Sequence, residues 1–266
     1  MKKLTVAVAM LAIANSSFAA DAPPSPHQFS GTATVVSDYI FRGLTQTWGG
    51  PAVQGSLDYA HASGAWASLW ASNVSKKVVA GSNAEIDLAL GYKGGAGDAW
   101  SYGAGLITIY YPGGNWNKMS WGPQPDQKYD FTEVNAFAGY RWVSVKYSRT
   151  IDDLLGFNEK TGFNGSTRGS TYTELNADVP LMETGLVLGL HLGRQDIKAN
   201  AGNINADFTD YRVSLGKTFE GGWTGALQLT ENRNKAFYNG TRSNRNENAA
   251  RDMGRRRLAV SLTKAF

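Results

Sequence analysis

Between Asn83 and Lys93 the chain sorts its side chains strictly in twos. Ala84, Ile86, Leu88, Leu90 and Tyr92 take one side; Asn83, Glu85, Asp87, Ala89, Gly91 and Lys93 take the other. Successive side chains of a strand point to opposite faces, so as a strand this segment has one apolar face and one that carries charge. The division returns along the chain. Val134, Ala136 and Ala138 alternate with Glu133 and Asn135; Leu186, Leu188, Leu190 and Leu192 with Val187, Gly189, His191 and Gly193. Tyr211, Val213 and Leu215 alternate with Asp210, Arg212 and Ser214; Leu258, Val260 and Leu262 with Ala259, Ser261 and Thr263.

The pattern predicts twelve strands, at 29–41, 51–61, 65–74, 83–93, 99–110, 129–140, 142–150, 169–179, 185–194, 207–217, 222–231 and 256–266. The third leaves its facing open, with Trp66 and Trp70 on one side and Leu69 on the other. Connections alternate between tight (62–64, 94–98, 141, 180–184, 218–221) and long (42–50, 75–82, 111–128, 151–168, 195–206, 232–255). Short turns at one end and long polar loops at the other mark an up-and-down sheet whose two ends face different surroundings.

Hydrocarbon offers no water to satisfy a backbone, so an antiparallel sheet spans it only by closing on itself, apolar side outward. A soluble barrel would invert the facing. Twelve strands of about ten residues, however, would enclose more interior than the modest side chains available could fill. The expectation is therefore an all-β fold: a transmembrane, up-and-down antiparallel β-barrel of about 12 strands. Its interior then receives Asp58, Glu85, Asp87, Glu133, Glu174, Asp178, Asp210 and Arg212, with His191 as a polar lining residue. Asp38 and Arg42, read as sharing a face of the first strand, are expected to form an interior ion pair, with Gly43 easing the exit into the first loop. These eleven are the candidate pore-lining residues.

The first residues read as a sorting signal: Lys2 and Lys3, an apolar stretch from Leu4 to Ala14, then Ser17 and Ala19 before a cut. The expected organisation is a signal peptide at 1–19, a flexible leader at 20–28 and an outer-membrane barrel at 29–266. Beyond the signal no apolar run approaches the ~18 residues of a spanning helix. The chain has no cysteine, so disulfides are excluded. Its 26 basic and 22 acidic residues give +4, or +2 without Lys2 and Lys3, a balance that gives no reason to expect nucleic acid. Tyr59, Trp66, Tyr92, Tyr140, Trp142 and Trp223 fall near the short-turn ends, where an aromatic girdle belongs. The closing Phe266 resembles the terminal aromatic of bacterial outer-membrane barrels, which the barrel-assembly machinery reads. Lys264 departs from that pattern, and a lysine at that depth can snorkel.

The run Val36, Ser37, Asp38, Tyr39, Ile40, Phe41, Arg42, Gly43, Leu44, Thr45, Gln46, Thr47, followed by Pro51 to Tyr59 and by Trp70 to Val74, resembles a proteobacterial family. It is the TorF-type family of outer-membrane barrels, of unknown function, whose porin designation is itself inferred. The resemblance covers the first third of the mature chain and agrees beyond that only in layout. It implies an outer-membrane barrel and supplies no functional residues.

Catalysis has one candidate spacing, His61 and Ser63, which resembles the His-x-Ser of outer-membrane lipid hydrolases. It falls in a tight turn and is followed by Gly64 where those enzymes carry asparagine, so a turn is the better reading. Three scattered histidines and no cysteine leave no transition-metal site and no cofactor to expect. Asp152, Asp153 and Glu159 read as a solvated loop rather than a calcium site. Between Glu231 and Arg257 eight basic residues face three acidic ones. Arg242, Arg245, Arg251, Arg255 and Arg257 are the candidates there for contact with anions or lipopolysaccharide phosphates. Tyr111, Trp116 and Trp121, in the third long loop, suit either packing into the mouth or stacking on a sugar. The functional expectation is a passive, narrow channel for small hydrophilic solutes or ions. The alternatives are a closed barrel acting through its loops and, behind it, a lipid-modifying enzyme.

Overall fold

The computed structural model describes residues 25–266 except Asp98 and Trp121, and only the backbone at Asn246 and Glu247. The expected signal peptide, the leader as far as residue 24 and the candidate Trp121 lie outside the described residues. In chain order the strands are β1 (His27–Val36), β2 (Ile40–Phe41), β3 (Leu44–Thr45), β4 (Ala52–His61), β5 (Ala65–Asn73), β6 (Ala84–Ala96), β7 (Trp100–Tyr110) and β8 (Phe131–Tyr140). They continue as β9 (Val143–Thr150), β10 (Thr171–Pro180), β11 (Leu186–Asp196), β12 (Phe208–Phe219), β13 (Trp223–Asn232), β14 (Thr241–Ser243), β15 (Asn246–Arg251) and β16 (Arg257–Ala265). Twelve of them, β1, β4 to β13 and β16, form one closed antiparallel barrel. Each alternating segment read from the sequence corresponds to one of these twelve.

The side chains face as the bilayer requires. Leu88 is 54% exposed, Leu190 42% and Val260 50%, all on the outside, while the residues alternating with them turn inward. A closed barrel leaves no unpaired strand edge, so this belt can meet hydrocarbon. Among the described residues no helix is long and apolar enough to cross a membrane; the strands make the crossing.

The seam joins β1 to β16, with Thr32 opposite Ala265 and Val36 opposite Ser261. Gly31 and Phe266 exchange both backbone hydrogen bonds, at 2.9 and 3.1 Å. The Phe266 ring lies where a side chain at Gly31 would stand: a Cβ there would come within 2.6 Å of it. Lys264 bends to the short-turn rim, its Nζ donating to the Gly221 carbonyl and lying 5.9 Å from the centre of the Trp223 ring.

Three details differ from the sequence reading. β1 starts at His27, inside the stretch assigned to a leader, because residues 27–30 continue the ladder with β4 as far as His61. It ends at Val36 instead of 41, for a reason set out below. Trp66 does not join the girdle. Its ring lies inside the barrel, over the bare backbones of Gly91 and Gly105, and Leu69 takes the lipid side of β5. Tyr92, Tyr140, Trp142 and Trp223 are exposed near the short turns as expected, joined by Phe29, Trp100, Tyr102 and Phe219.

Candidate functional site: the barrel lumen and its mouth

After Val36 the chain leaves the wall and folds into the lumen. The hairpin β2–β3 turns at Arg42 and Gly43, both with positive φ (47° and 75°), the backbone a two-residue hairpin turn of this hand demands. Gly43 has no room for a side chain: a Cβ there would stand 2.7 Å from Asp210 Cβ, on the β12 wall. Arg42 holds the tip in place. Its guanidinium donates to both Glu133 carboxylate oxygens at 2.9 and 2.6 Å and to Gln195 Oε1 at 2.8 Å, and it stacks 4.1 Å from the centre of the Tyr172 ring.

Asp38 and Arg42 are therefore not partners, contrary to the expected ion pair, because this segment is a loop across the lumen and not a strand. Asp38 accepts from the Thr45 and Thr47 hydroxyls and faces Arg257 Nη1 at 3.4 Å. Tyr39 fastens the near side of the loop, donating to Glu85 Oε1 at 2.6 Å, its ring tilted against Trp70 with centroids 5.4 Å apart. One short loop is thus tied to widely separated strands through buried charge and hydroxyl groups.

Under the hairpin tip lies a cavity of about 180 Å³ lined by residues of the hairpin and of β9 to β13. Lys146 Nζ meets Glu174 Oε1 at 2.6 Å. Both His191 ring nitrogens face oxygens: Nδ1 lies 2.7 Å from Asn176 Oδ1, and Nε2 lies 3.0 Å from Asp210 Oδ2 and from the Tyr172 hydroxyl. Tyr172 donates in turn to Asp210 Oδ1 at 2.9 Å. Arg212 lines the same cavity, and Asp178 lies within the electrostatic reach of its charge.

The wall made by β4 to β6 differs. Asp58 accepts from Ser56 and Ser68 at 2.7 and 2.6 Å. Glu85, 2% exposed, has the Tyr39 hydroxyl on one oxygen, while its Oε2 and the Oδ1 of Asp87 are buried without a hydrogen-bond partner. No cation pairs with these three carboxylates among the described residues. Counted over the inward face and the infolded loop, histidine aside, eight acidic side chains (Asp38, Asp58, Glu85, Asp87, Glu133, Glu174, Asp178 and Asp210) stand against five basic ones (Arg42, Lys93, Lys146, Arg212 and Arg257).

The long loops close over this interior. Tyr111, Tyr129, Leu154, Phe163 and Ile197 are buried in one apolar cluster with Trp116, Phe157 and Phe237 against it. Trp116 stacks on Tyr129, Phe157 on Phe163, and the Trp116 indole donates to the Leu155 carbonyl at 3.2 Å. Helix α1 (Lys235–Tyr238) adds Phe237 and Tyr238 to these rings. Burial pushes the Tyr129 and Tyr238 hydroxyls up from their ordinary pKa, as in a dry environment. Tyr111 and Trp116 thus fill the mouth.

The eleven expected lining residues are on the barrel's inner side or, for Asp38 and Arg42, on the infolded loop. The five arginines of the basic segment divide. Arg242, Arg245 and Arg255 are exposed. Arg257 is not an outward contact: it is 7% exposed, faces inward from β16 and donates to the Asp252 carbonyl at 2.8 Å. Arg251 lies against Trp48 of the first loop, 5.6 Å from the ring centre. Both are drawn inward because the infolded loop supplies Asp38 and an aromatic face. His61 Nδ1 lies 2.8 Å from Ser63 Oγ, yet it also accepts the Ser63 backbone N–H at 3.2 Å, a turn-closing arrangement. Asp152 and Asp153 accept backbone N–H groups from Thr132 and Arg168. Tyr39, Lys146, Tyr172 and Gln195 were missed. Lys146 had a signal in its alternation with Val145 and Tyr147; Tyr39 and Gln195 had none.

A family model described as "Bacterial protein of unknown function (Gcw_chp)" matches residues 20–266. The chain belongs to that family. No curated protein matches it in sequence. In fold this Gcw_chp member is similar to solved outer-membrane porins. One is the KdgM porin, at 11% identity and a TM-score of 0.51, covering 89% of this chain and 99% of that one. The KdgM porin in complex with disordered oligogalacturonate gives 8% identity and a TM-score of 0.50, over 90% and 98% of the two chains. The NanC porin gives 9% identity and a TM-score of 0.50, over 90% and 98%. The Gcw_chp chain is thus a barrel of porin-like fold.

Proposed function

We propose that this barrel is a narrow, passive outer-membrane channel for small hydrophilic solutes or ions, with the first loop as its constriction. The observation that carries the reading is the sorting of charge: thirteen Asp, Glu, Lys and Arg side chains face the lumen or reach into it while the belt outside is apolar. A barrel with no task in its interior has no physical need to bury so much charge, since each group costs desolvation. Carboxylates outnumber cations, so the passage favours cations. The TorF-type resemblance of the N-terminal stretch and the porin fold agree with this reading, and the exposed His61–Ser63 turn gives no ground for an enzyme.

A second reading, a closed barrel acting through its loops, is favoured by one observation, the aromatic cluster over the mouth. Single-channel recording in planar bilayers separates the two. The channel reading expects discrete, cation-favouring steps from the purified protein, larger in Arg42→Ala, whose constriction is untied. Silence from both proteins at high load would overturn it in favour of the closed barrel.

A further inference from the structure

On the outer wall, the last outward residue of β9 at the long-loop end is Arg149, directly above the exposed Val143, Val145 and Tyr147 of the same face. Beside it the chain turns through Gly169 with φ +86°, and across the turn stands Lys198, tethered by its backbone N–H to Ser170 Oγ at 3.1 Å. The two cationic heads converge on one point. The position a Gly169 Cβ would take lies 3.3 Å from Arg149 Nη2 and 3.6 Å from Lys198 Nζ. Arg168, the neighbouring residue, is also exposed. None of the three side chains has an ion-pair or hydrogen-bond partner among the described residues. Like charges repel at such range, so two heads brought together over a glycine mark a place for an anion between them.

Along the same rim, Arg194 is answered by Asp196 and Asp207, and Arg256 by Glu231. At Arg149 the rim has no such answer. We propose that Arg149 and Lys198 bind the phosphate of an outer-leaflet glycolipid, the lipid-A part of lipopolysaccharide. The guanidinium provides the planar fork that suits phosphate, and the lysine adds a point charge from the other side. A lipid is favoured over a free anion because the apolar strip starts one residue pair below: the same ligand can hold its phosphate on the cations and lay its acyl chains on Tyr147, Val145 and Val143. The site is on the outside of the wall and is independent of whether the lumen conducts.

The test is native mass spectrometry of the purified, detergent-solubilised barrel titrated with phosphorylated lipid A, dephosphorylated lipid A and inorganic phosphate. Expected are bound phosphorylated lipid A on the parent, at least a tenfold loss of affinity in Arg149→Gln/Lys198→Gln, and little binding of the dephosphorylated form by either. Arg149→Lys, which keeps charge without the fork, falls between them. Lys76→Gln, an exposed cation of another loop, matches the parent and controls for general charge. Equal binding by the folded double variant and the parent would overturn the site. Inorganic phosphate competing at the same concentration as lipid A would overturn the lipid assignment and leave a small-anion site.

Discussion

The two sides of the lumen handle buried carboxylates in opposite ways. On the β8 to β16 side, Glu133 is held by Arg42, Glu174 by Lys146 and Asp38 by Arg257, and Asp210 faces His191. On the β4 to β6 side, Asp58 and Glu85 have only hydroxyl donors, and Asp87 keeps an oxygen with none. A paired charge fixes a structure, because neither member can leave without stranding the other. An unpaired one fixes little and leaves its field for whatever passes. The first loop spans this difference: it is pinned to the paired side through Arg42 and rests on the other through the Tyr39 hydroxyl.

The contrast is broken most directly at the pin. In Arg42→Ala, Glu133 stays buried without its cation, and the expected cost is about 3–5 kcal/mol in urea unfolding of the detergent-refolded barrel. An unchanged midpoint would mean that the pair fixes nothing. Lys146→Gln removes a partner that is more exposed than Arg42, 21% against 8%, and Glu174 keeps Asn176 beside it, so a smaller loss of about 1–3 kcal/mol is expected from the same measurement, together with stronger cation preference in reversal-potential recordings. Asp87→Asn sharpens the other side: it is expected to leave stability unchanged or slightly raised, while cation preference falls. A destabilised Asp87→Asn would show that this carboxylate is structural after all.

The smallest effect concerns the aromatic loop cluster above both sides. Burial raises the Tyr129 and Tyr238 pKa, so the folded state keeps protons that the unfolded state releases near pH 10. The stability of this cluster therefore falls as pH rises above about 10. An alkaline absorbance titration is expected to show a tyrosine fraction that ionises only as the loops open. Full titration near pH 10 with the barrel intact would mean a wet, loose mouth.

The barrel was legible because period two is a long-range pattern: each strand repeats the inward-outward choice several times, as β6 does from Ala84 to Lys93. The infolded loop was not, because Ser37 to Phe41 continues a strand-like rhythm although the chain has already left the wall after Val36, and the positive backbone angles at Arg42 and Gly43 mark only the hairpin tip inside the lumen. An Arg-Gly pair where hairpins usually carry Asn-Gly was the available clue. Trp66 misled because β5 has an aromatic on one face and a leucine on the other, and only its neighbours Gly91 and Gly105 decide which side has room. The aromatic loop cluster was hidden in polar surroundings, although Phe157, Phe163 and Phe237 are costly to leave in water and so hinted at a core of their own.

The β1–β16 seam makes the molecule a ring whose two ends are more than two hundred residues apart in the chain. Any arc of it has two raw margins, each a row of amide groups that oil cannot solvate. Neither half can therefore settle into a membrane ahead of the other, and construction must proceed under shelter until the first strand finds the last. The meeting of β1 and β16, the pairing of greatest separation along the chain, is the step expected to be slowest in assembly.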